Sequence, residues 1–154
     1  MENSEEYLHE AIALAYANAE KGGRPFGAVI VRDGRIVASA VNEIVQTGDP
    51  TSHAELNAIR IASRALGSPD LAGCSVFASG HPCPMCMAAM RLAGIKAVTY
   101  AYSNEDGAPH GLSTAAIYDD LAKPFAEQAM KIRHLPVRLS GRPDLYAEWQ
   151  RRQG

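Results

Sequence analysis

Helix-like and strand-like segments alternate along almost all of the 154 residues of this chain. Leu8, Ile12 and Ala15 recur at helical spacing, whereas residues 28–31 form a short apolar run that is typical of a buried strand. The dipeptide Asp33-Gly34 predicts a tight hairpin after that run. In chain order, the sequence predicts a helix over 4–21, strands over 28–31 and 35–41, a helix over 52–66 capped by Thr51 or Ser52, a strand over 74–79, a helix over 84–93, a strand over 96–102, helices over 114–122 and 124–131, a strand over 134–139 and a helix over 143–151.

This order of segments predicts an α/β fold, with one sheet and helices packed on its faces. The hairpin makes the first two strands antiparallel. The later strands alternate with helices, so we expect them to be parallel and joined by right-handed crossovers. At roughly 150 residues per domain, the length predicts a single domain over residues 1–154.

Composition and charge argue against several classes of protein. Hydrophobic residues make up 47% and charged residues 21% of the chain, which is typical of a soluble globular protein. No apolar run approaches the roughly 20 residues of a membrane span, and the acidic start is unlike a secretory signal. The formal net charge of −2 is unlike the strongly basic domains that bind nucleic acid. We therefore expect a cytoplasmic protein with neither a membrane nor a nucleic-acid partner.

Two short segments carry metal-ligand side chains at predicted helix starts. Cys83 and Cys86 are three residues apart, so their sulfurs face one way on a helix, and a helix N-terminus favours the thiolate that binds zinc. His53, at the start of another predicted helix, can add an imidazole nitrogen. Three protein ligands leave a fourth position open for water, as catalytic zinc sites do. Glu55 is then a candidate general acid and base.

The cysteine pattern also allows two other interpretations. Cys83 and Cys86 can form a redox pair, or they can belong to a structural zinc site with Cys74 as the fourth ligand. Cys74 opens a predicted strand, where a small buried core residue is expected. Three cysteines are too few for a disulfide scaffold, which favours a reducing compartment.

The pattern His-x-Glu followed by Pro-Cys-x-x-Cys resembles the signature of the zinc-dependent nucleobase deaminases, in the cytidine-deaminase-like superfamily. Within that superfamily the chain is most similar to the small bacterial guanine deaminases, through segments 24–31, 49–55 and 81–86. The resemblance covers nearly the whole chain. It implies a three-layer α-β-α fold with a five-stranded mixed sheet and helices on both faces, usually assembled as a homodimer.

The same resemblance implies the chemistry. One zinc ion per chain would be held by His53, Cys83 and Cys86, with Glu55 as the proton shuttle. The reaction would be hydrolytic, with attack on the ring carbon that bears the amino group and release of ammonia.

Four residues are implied as substrate contacts: Phe26, Asn42, Ala54 and His81. Phe26 is alternatively a core aromatic at a strand start, and Asn42 is alternatively a turn residue. His81 stands where these enzymes usually carry Glu. Three roles are open for His81. It contacts the substrate, it supports a zinc ligand without binding the metal itself, or it is exposed to solvent.

One departure concerns the substrate. The acidic residue that guanine deaminases carry after the fourth strand has no counterpart in residues 111–114, where His110 is a neighbouring substitute. We expect hydrolysis of guanine to xanthine and ammonia. The alternative substrate is another small amino-heterocycle, such as cytosine, isocytosine, a triazine like ammeline or a pterin. A tRNA adenosine deaminase and a zinc protein without catalysis are the remaining alternatives.

Overall fold

The computed structural model describes residues 3–154, which form two compact units, residues 3–119 and Asp120–Gly154. The first unit contains all four strands of the described chain. Its elements are α1 (Ser4–Glu20), β1 (Gly27–Arg32), β2 (Arg35–Val41), α2 (Ile44–Thr47), α3 (Ala54–Leu66), β3 (Cys74–Gly80), α4 (Pro84–Leu92), β4 (Ala97–Tyr102), α5 (Asn104–Gly107), a 3-10 turn at Ala108–His110 and most of α6 (Ala115–Leu121).

The four strands form one mixed sheet in the order β2-β1-β3-β4. β1 pairs antiparallel with both β2 and β3, while β3 and β4 are parallel. The parallel pair is joined through α4, as a crossover connection requires. The predicted α/β class and mixed sheet are therefore confirmed.

The turn between β1 and β2 has the predicted hairpin chemistry. Asp33 has a φ of 51° and Gly34 a φ of 74°, and two positive φ values are what a type I′ turn needs. Farther along the pair the register shifts, because Ile30 lies opposite Ala38 whereas Val31 lies opposite Ile36. The extra residue in β2, Val37, makes a β-bulge there.

Side chains of β1 alternate between two apolar clusters, one on each face of the sheet. Ala28 and Ile30 belong to the larger cluster, together with residues of α3 and α4. Val29 and Val31 belong to a smaller cluster against α1. The buried run 28–31 is fully apolar because helices cover both of its faces.

The predicted fifth strand is wrong. Residues 134–139 have no strand structure and are exposed to solvent. Pro136 has no N–H group to give to a sheet, and the Val137 N–H donates instead to the Leu135 carbonyl, 2.8 Å away. The alternation of apolar residues was therefore a misleading strand signal.

The second unit contains the last two residues of α6 and one further α-helix at its end. The predicted helix over 124–131 is wrong, because only a 3-10 turn forms at Phe125–Glu127 and the chain is extended at Gln128. The predicted C-terminal helix is present as α7 (Leu145–Gln153), with the Asp144 side chain accepting from the Ala147 N–H. Within residues 3–154, no helix combines the length and the apolar character that a membrane crossing requires.

Candidate active site

Two predicted metal ligands occupy the same position on two helices. His53 is the N-cap residue of α3 and Cys83 is the N-cap residue of α4, both with extended backbone. The predicted cap of α3 by Thr51 or Ser52 is therefore wrong. Cys86 lies on the first turn of α4, and Pro84 occupies the first turn, where its missing N–H costs no hydrogen bond. The partial positive charge of two helix N-termini thus lies beside these ligands.

The three donor atoms lie at distances that suit a zinc ion. The Nδ1 atom of His53 is 3.4 Å from Cys83 Sγ and 3.6 Å from Cys86 Sγ, and the two sulfurs are 3.6 Å apart. Tetrahedral bonds of about 2.3 Å to sulfur and about 2.05 Å to nitrogen place such ligands about 3.8 Å and about 3.6 Å apart. The donor set and its spacing therefore fit zinc with three protein ligands.

The thiols interact strongly. The hydrogen bond from Cys86 lowers the pKa of Cys83 to about 4, and the Cys83 sulfur in turn raises the pKa of Cys86 and of His53. A second thiolate next to the first is unfavourable unless a cation lies between them. A divalent metal removes that conflict, because it binds both sulfurs in their thiolate form.

Cys74 is not part of this group. It begins β3, and about six residues at roughly 3.3 Å each separate it from Gly80 at the site end of that strand. Within residues 3–154, the side chains that can share a metal ion are His53, Cys83 and Cys86 alone. This excludes the structural zinc site with Cys74 as a fourth ligand.

Glu55 lies on the first turn of α3, two residues after the histidine ligand. Its side chain is buried, with 8% of its surface exposed. Burial and, to a smaller extent, the neighbouring Cys83 charge raise the pKa of Glu55 to about 7. A carboxyl group in this environment exchanges a proton near neutral pH, as a general acid and base must.

The short loop between β2 and α2 places Asn42. Asn42 is 2% exposed, and its backbone N–H donates to the Phe26 carbonyl at 3.1 Å. Its Oδ1 atom accepts from the Ile44 N–H at 3.0 Å, so that within the described chain its Nδ2 group is the free donor. Ala54, also predicted to contact the substrate, is fully buried at the start of α3.

Phe26 and His81 line a cavity of about 750 Å³ next to the ends of β3 and β4, whereas the metal ligands and Glu55 do not. The Phe26 ring packs against Gly80, where a Cβ atom would be only 3.2 Å from it. The His81 ring is half-buried between Tyr100 and Tyr118, with ring centroids 4.7 Å and 5.4 Å away. His81 is thus held in an aromatic cluster beside the cavity.

The segment after β4 lines one side of this cavity. His110 and Leu112 line the cavity, as does Asp106. The Asp106 carboxylate is already engaged, since it accepts from the Ser103 N–H at 2.8 Å. Thr114 has a buried hydroxyl, the one buried side-chain N or O atom in the described chain without a hydrogen-bond partner.

Two residues near the site were not predicted. The Tyr118 hydroxyl donates to the carbonyl of Pro82, the residue before a metal ligand, and nothing in the local sequence of α6 indicates this. Asn18 is buried at the end of α1 and bonds to the loops that carry Phe26 and Asn42. A signal for Asn18 existed, since it follows the buried Ala11 and Ala15 along the apolar face of the helix.

Comparisons with known proteins agree with this geometry. Residues 1–102 match the cytidine and deoxycytidylate deaminase zinc-binding region. The chain is 43% identical over 129 residues to the guanine deaminase of Bacillus subtilis (strain 168), covering 83% of each chain. The X-ray structure of the Bacillus subtilis guanine deaminase matches with a TM-score of 0.86 and 38% identity, over 96% of this chain and 93% of that one.

Two further matches differ in what they bind or act on. The tRNA-specific adenosine deaminase of Aquifex aeolicus (strain VF5) is 33% identical over 133 residues, covering 86% of this chain and 85% of the relative. A crystal structure of NE0047 in complex with 2,6-diaminopurine matches with a TM-score of 0.69 and 26% identity, over 72% of this chain and 62% of that one. The family match spans the strands and helices that hold the zinc ligands. The chain therefore belongs to the family of zinc-binding cytidine and deoxycytidylate deaminases, which are hydrolases acting on C–N bonds.

Proposed function

We propose that this protein hydrolyses guanine to xanthine and ammonia. The observation that carries the proposal is the buried Glu55 carboxyl beside three donors at zinc-binding distances, in a chain similar to a guanine deaminase over most of both lengths. The reaction uses one water molecule. A C–O bond forms at the ring carbon that bears the amino group, the C–N bond breaks, and neither partner is oxidised or reduced.

His53, Cys83 and Cys86 hold the zinc ion in this proposal. When bound, zinc would supply Lewis-acid chemistry that activates the attacking water near neutral pH. Glu55 takes the proton from the attacking water and delivers it to the leaving amino group. Its pKa of about 7 supports this role, because the group can both accept and release a proton at neutral pH.

Four residues recognise the base in this proposal. The Nδ2 group of Asn42 donates to a ring nitrogen or carbonyl of the purine, because its Oδ1 atom already accepts from the backbone. The Phe26 ring offers an apolar face to the base. Ala54 has only a methyl side chain, which leaves room between the ligand and the proton shuttle. His81 contributes its ring to the wall of the neighbouring cavity.

We also propose that residues 1–154 act as one deaminase domain and that the chain assembles as a homodimer. In the unit Asp120–Gly154 no described residue is buried, and large apolar side chains such as Val137, Leu139 and Trp149 are 62–75% exposed. A second copy would remove such surface from water. Sedimentation equilibrium should give twice the chain mass of 16.5 kDa.

The cytoplasm is the proposed compartment. The described chain has three free cysteines, and two of them must stay reduced to hold a metal. A reducing compartment meets this requirement.

The proposed substrate is tested by ammonia release from zinc-loaded protein. The panel contains guanine, adenine, cytosine, isocytosine, ammeline, a pterin, guanosine, cytidine and a tRNA anticodon stem. We expect turnover of guanine, with absorbance changing to that of xanthine. The free base should be preferred over guanosine, because the proposal assigns no residue to a ribose.

Other outcomes are equally informative. Turnover of another ring and not guanine would overturn the substrate and keep the zinc chemistry. Preference for the anticodon stem would favour the activity named for the Aquifex aeolicus relative, although the net charge of −2 supports a small substrate over RNA. Zinc-loaded protein that is inactive on the whole panel would overturn the proposal.

A further inference from the structure

Asn18 is a buried polar residue that joins two separate loops. It lies near the end of α1 and is 4% exposed. Its Nδ2 group donates to the Arg24 carbonyl at 2.7 Å and to the Asn42 carbonyl at 2.8 Å. One amide group therefore uses both of its N–H bonds to hold the loop before β1 and the loop after β2.

These two loops carry two of the proposed substrate contacts. Phe26 follows Arg24 by two residues, and its carbonyl accepts from the Asn42 N–H at 3.1 Å. One hydrogen bond from Asn18 holds Arg24, two residues before Phe26, and the other holds the carbonyl of Asn42 itself. A change in the position of the Asn18 amide would thus change the distance between Phe26 and Asn42, while the zinc ligands lie on other elements.

Two neighbours fix the orientation of the amide. The Gln46 Nε2 group donates to Asn18 Oδ1 at 3.1 Å, which leaves the NH₂ end to face the two carbonyls. Gly23 provides the space, because a Cβ atom there would be 2.6 Å from Asn18 Nδ2. Gly23 and Gln46 therefore hold the Asn18 side chain in a single orientation at the end of α1.

We propose that Asn18 is a positioning residue that sets the spacing of Phe26 and Asn42 and thereby the affinity for the base. This inference rests on the proposed function, since those two residues are the proposed contacts. It predicts an effect on binding that is separate from the metal and from the proton transfer at Glu55. The isosteric change Asn18→Asp removes both donated bonds and sets a carboxylate against two carbonyls.

The test uses the zinc-loaded full chain with four variants. Asn18→Asp removes the donors, Gly23→Ala displaces the unchanged amide, and Gln46→Met removes the bond that orients it. Leu8→Ala, on the same helix but packed in the smaller apolar cluster, is the control for general destabilisation. The readouts are kcat and KM for guanine, the Kd of 2,6-diaminopurine by calorimetry, zinc content and Tm.

We expect Asn18→Asp to raise KM and Kd at least tenfold, with kcat within threefold and zinc at one per chain. Gly23→Ala should act in the same direction, and the exposed Gln46→Met should raise KM two- to fourfold. Leu8→Ala should lower Tm with KM within twofold. If Asn18→Asp does not fold, Gln46→Met decides, because its side chain lies outside the core.

Three results would overturn the proposal. KM and Kd within twofold of the wild type in both Asn18→Asp and Gln46→Met would remove the positioning role. An equal rise in KM for Leu8→Ala would make the effect one of stability, and zinc loss from Asn18→Asp would make it one of the metal site. Wild-type turnover of guanine reports the proposed function by itself. If the wild type prefers another base, the same ratios are measured on that base.

Discussion

Replacing Glu55 by glutamine removes one titratable group and keeps the shape of the side chain. General acid–base catalysis contributes about 10²- to 10⁴-fold to a rate. The proposed mechanism uses the same carboxyl group twice, once to accept a proton and once to return it. We therefore expect kcat to fall at least about 10³-fold, which corresponds to about 4 kcal/mol of lost transition-state stabilisation.

Within residues 3–154, the cavity beside the site offers no free carboxyl group to replace that of Glu55. Asp106 is the acidic residue that lines this cavity, and its carboxylate caps α5 through the Ser103 N–H. Zinc should remain at one per chain in Glu55→Gln, because the ligand atoms belong to His53, Cys83 and Cys86.

The assay measures ammonia release and metal content on the same preparations. Glu105→Gln is the matched control, since Glu105 is exposed on α5 and does not line the cavity. Its kcat should stay within twofold of the wild type. A Glu55→Gln variant that retains zinc and loses less than tenfold in kcat would refute the proton-shuttle role. Loss of zinc from that variant would refute the placement of Glu55 outside the ligand set.

Four other substitutions test the metal site and the packing of the fold. Cys86→Ser should reduce zinc to less than a tenth of the wild-type content by metal analysis, while Cys74→Ser should leave it unchanged, because only the former sulfur belongs to the donor group. Gly27→Ala should lower the free energy of unfolding in urea by about 3 kcal/mol, because the new Cβ would lie 2.4 Å from a backbone oxygen of α1, and a change below about 0.5 kcal/mol would contradict this packing. Tyr118→Phe should cost about 1 kcal/mol, or roughly 2–4 °C in Tm, through its lost hydrogen bond to Pro82, with zinc content unchanged; an unaltered Tm would argue against that bond.

The first half of the fold could be predicted because its signals are local. The run 28–31 is apolar on both faces, and the Asp33-Gly34 turn has the residues that positive φ values favour. The second half contains another pattern typical of strands, since Leu135, Val137 and Leu139 are apolar at every second position, yet no strand forms there. A strand needs a neighbour to accept its hydrogen bonds, and no local pattern reports whether one is present. Pro136 was the local warning in that segment.

The metal ligands could be predicted for a related reason. His53 and Cys83 are each the N-cap residue of a helix, so a start signal and a ligand residue coincide in the sequence. The contacts around them could not be predicted, because they join distant parts of the chain. Tyr118 reaches a carbonyl 36 positions away, and Asn18 reaches one 24 positions away. Both donate to backbone carbonyls, which every residue has, so the acceptors leave no mark in the sequence.

The reacting groups and the base contacts are therefore positioned by two different kinds of interaction. The reacting groups are fixed by helix starts and by the residues themselves, so they depend on a few local positions. The spacing of the proposed base contacts depends on donors from α1 that bind backbone atoms of the loops. Substitutions at α1 can therefore alter which ring is held without altering a metal ligand or Glu55.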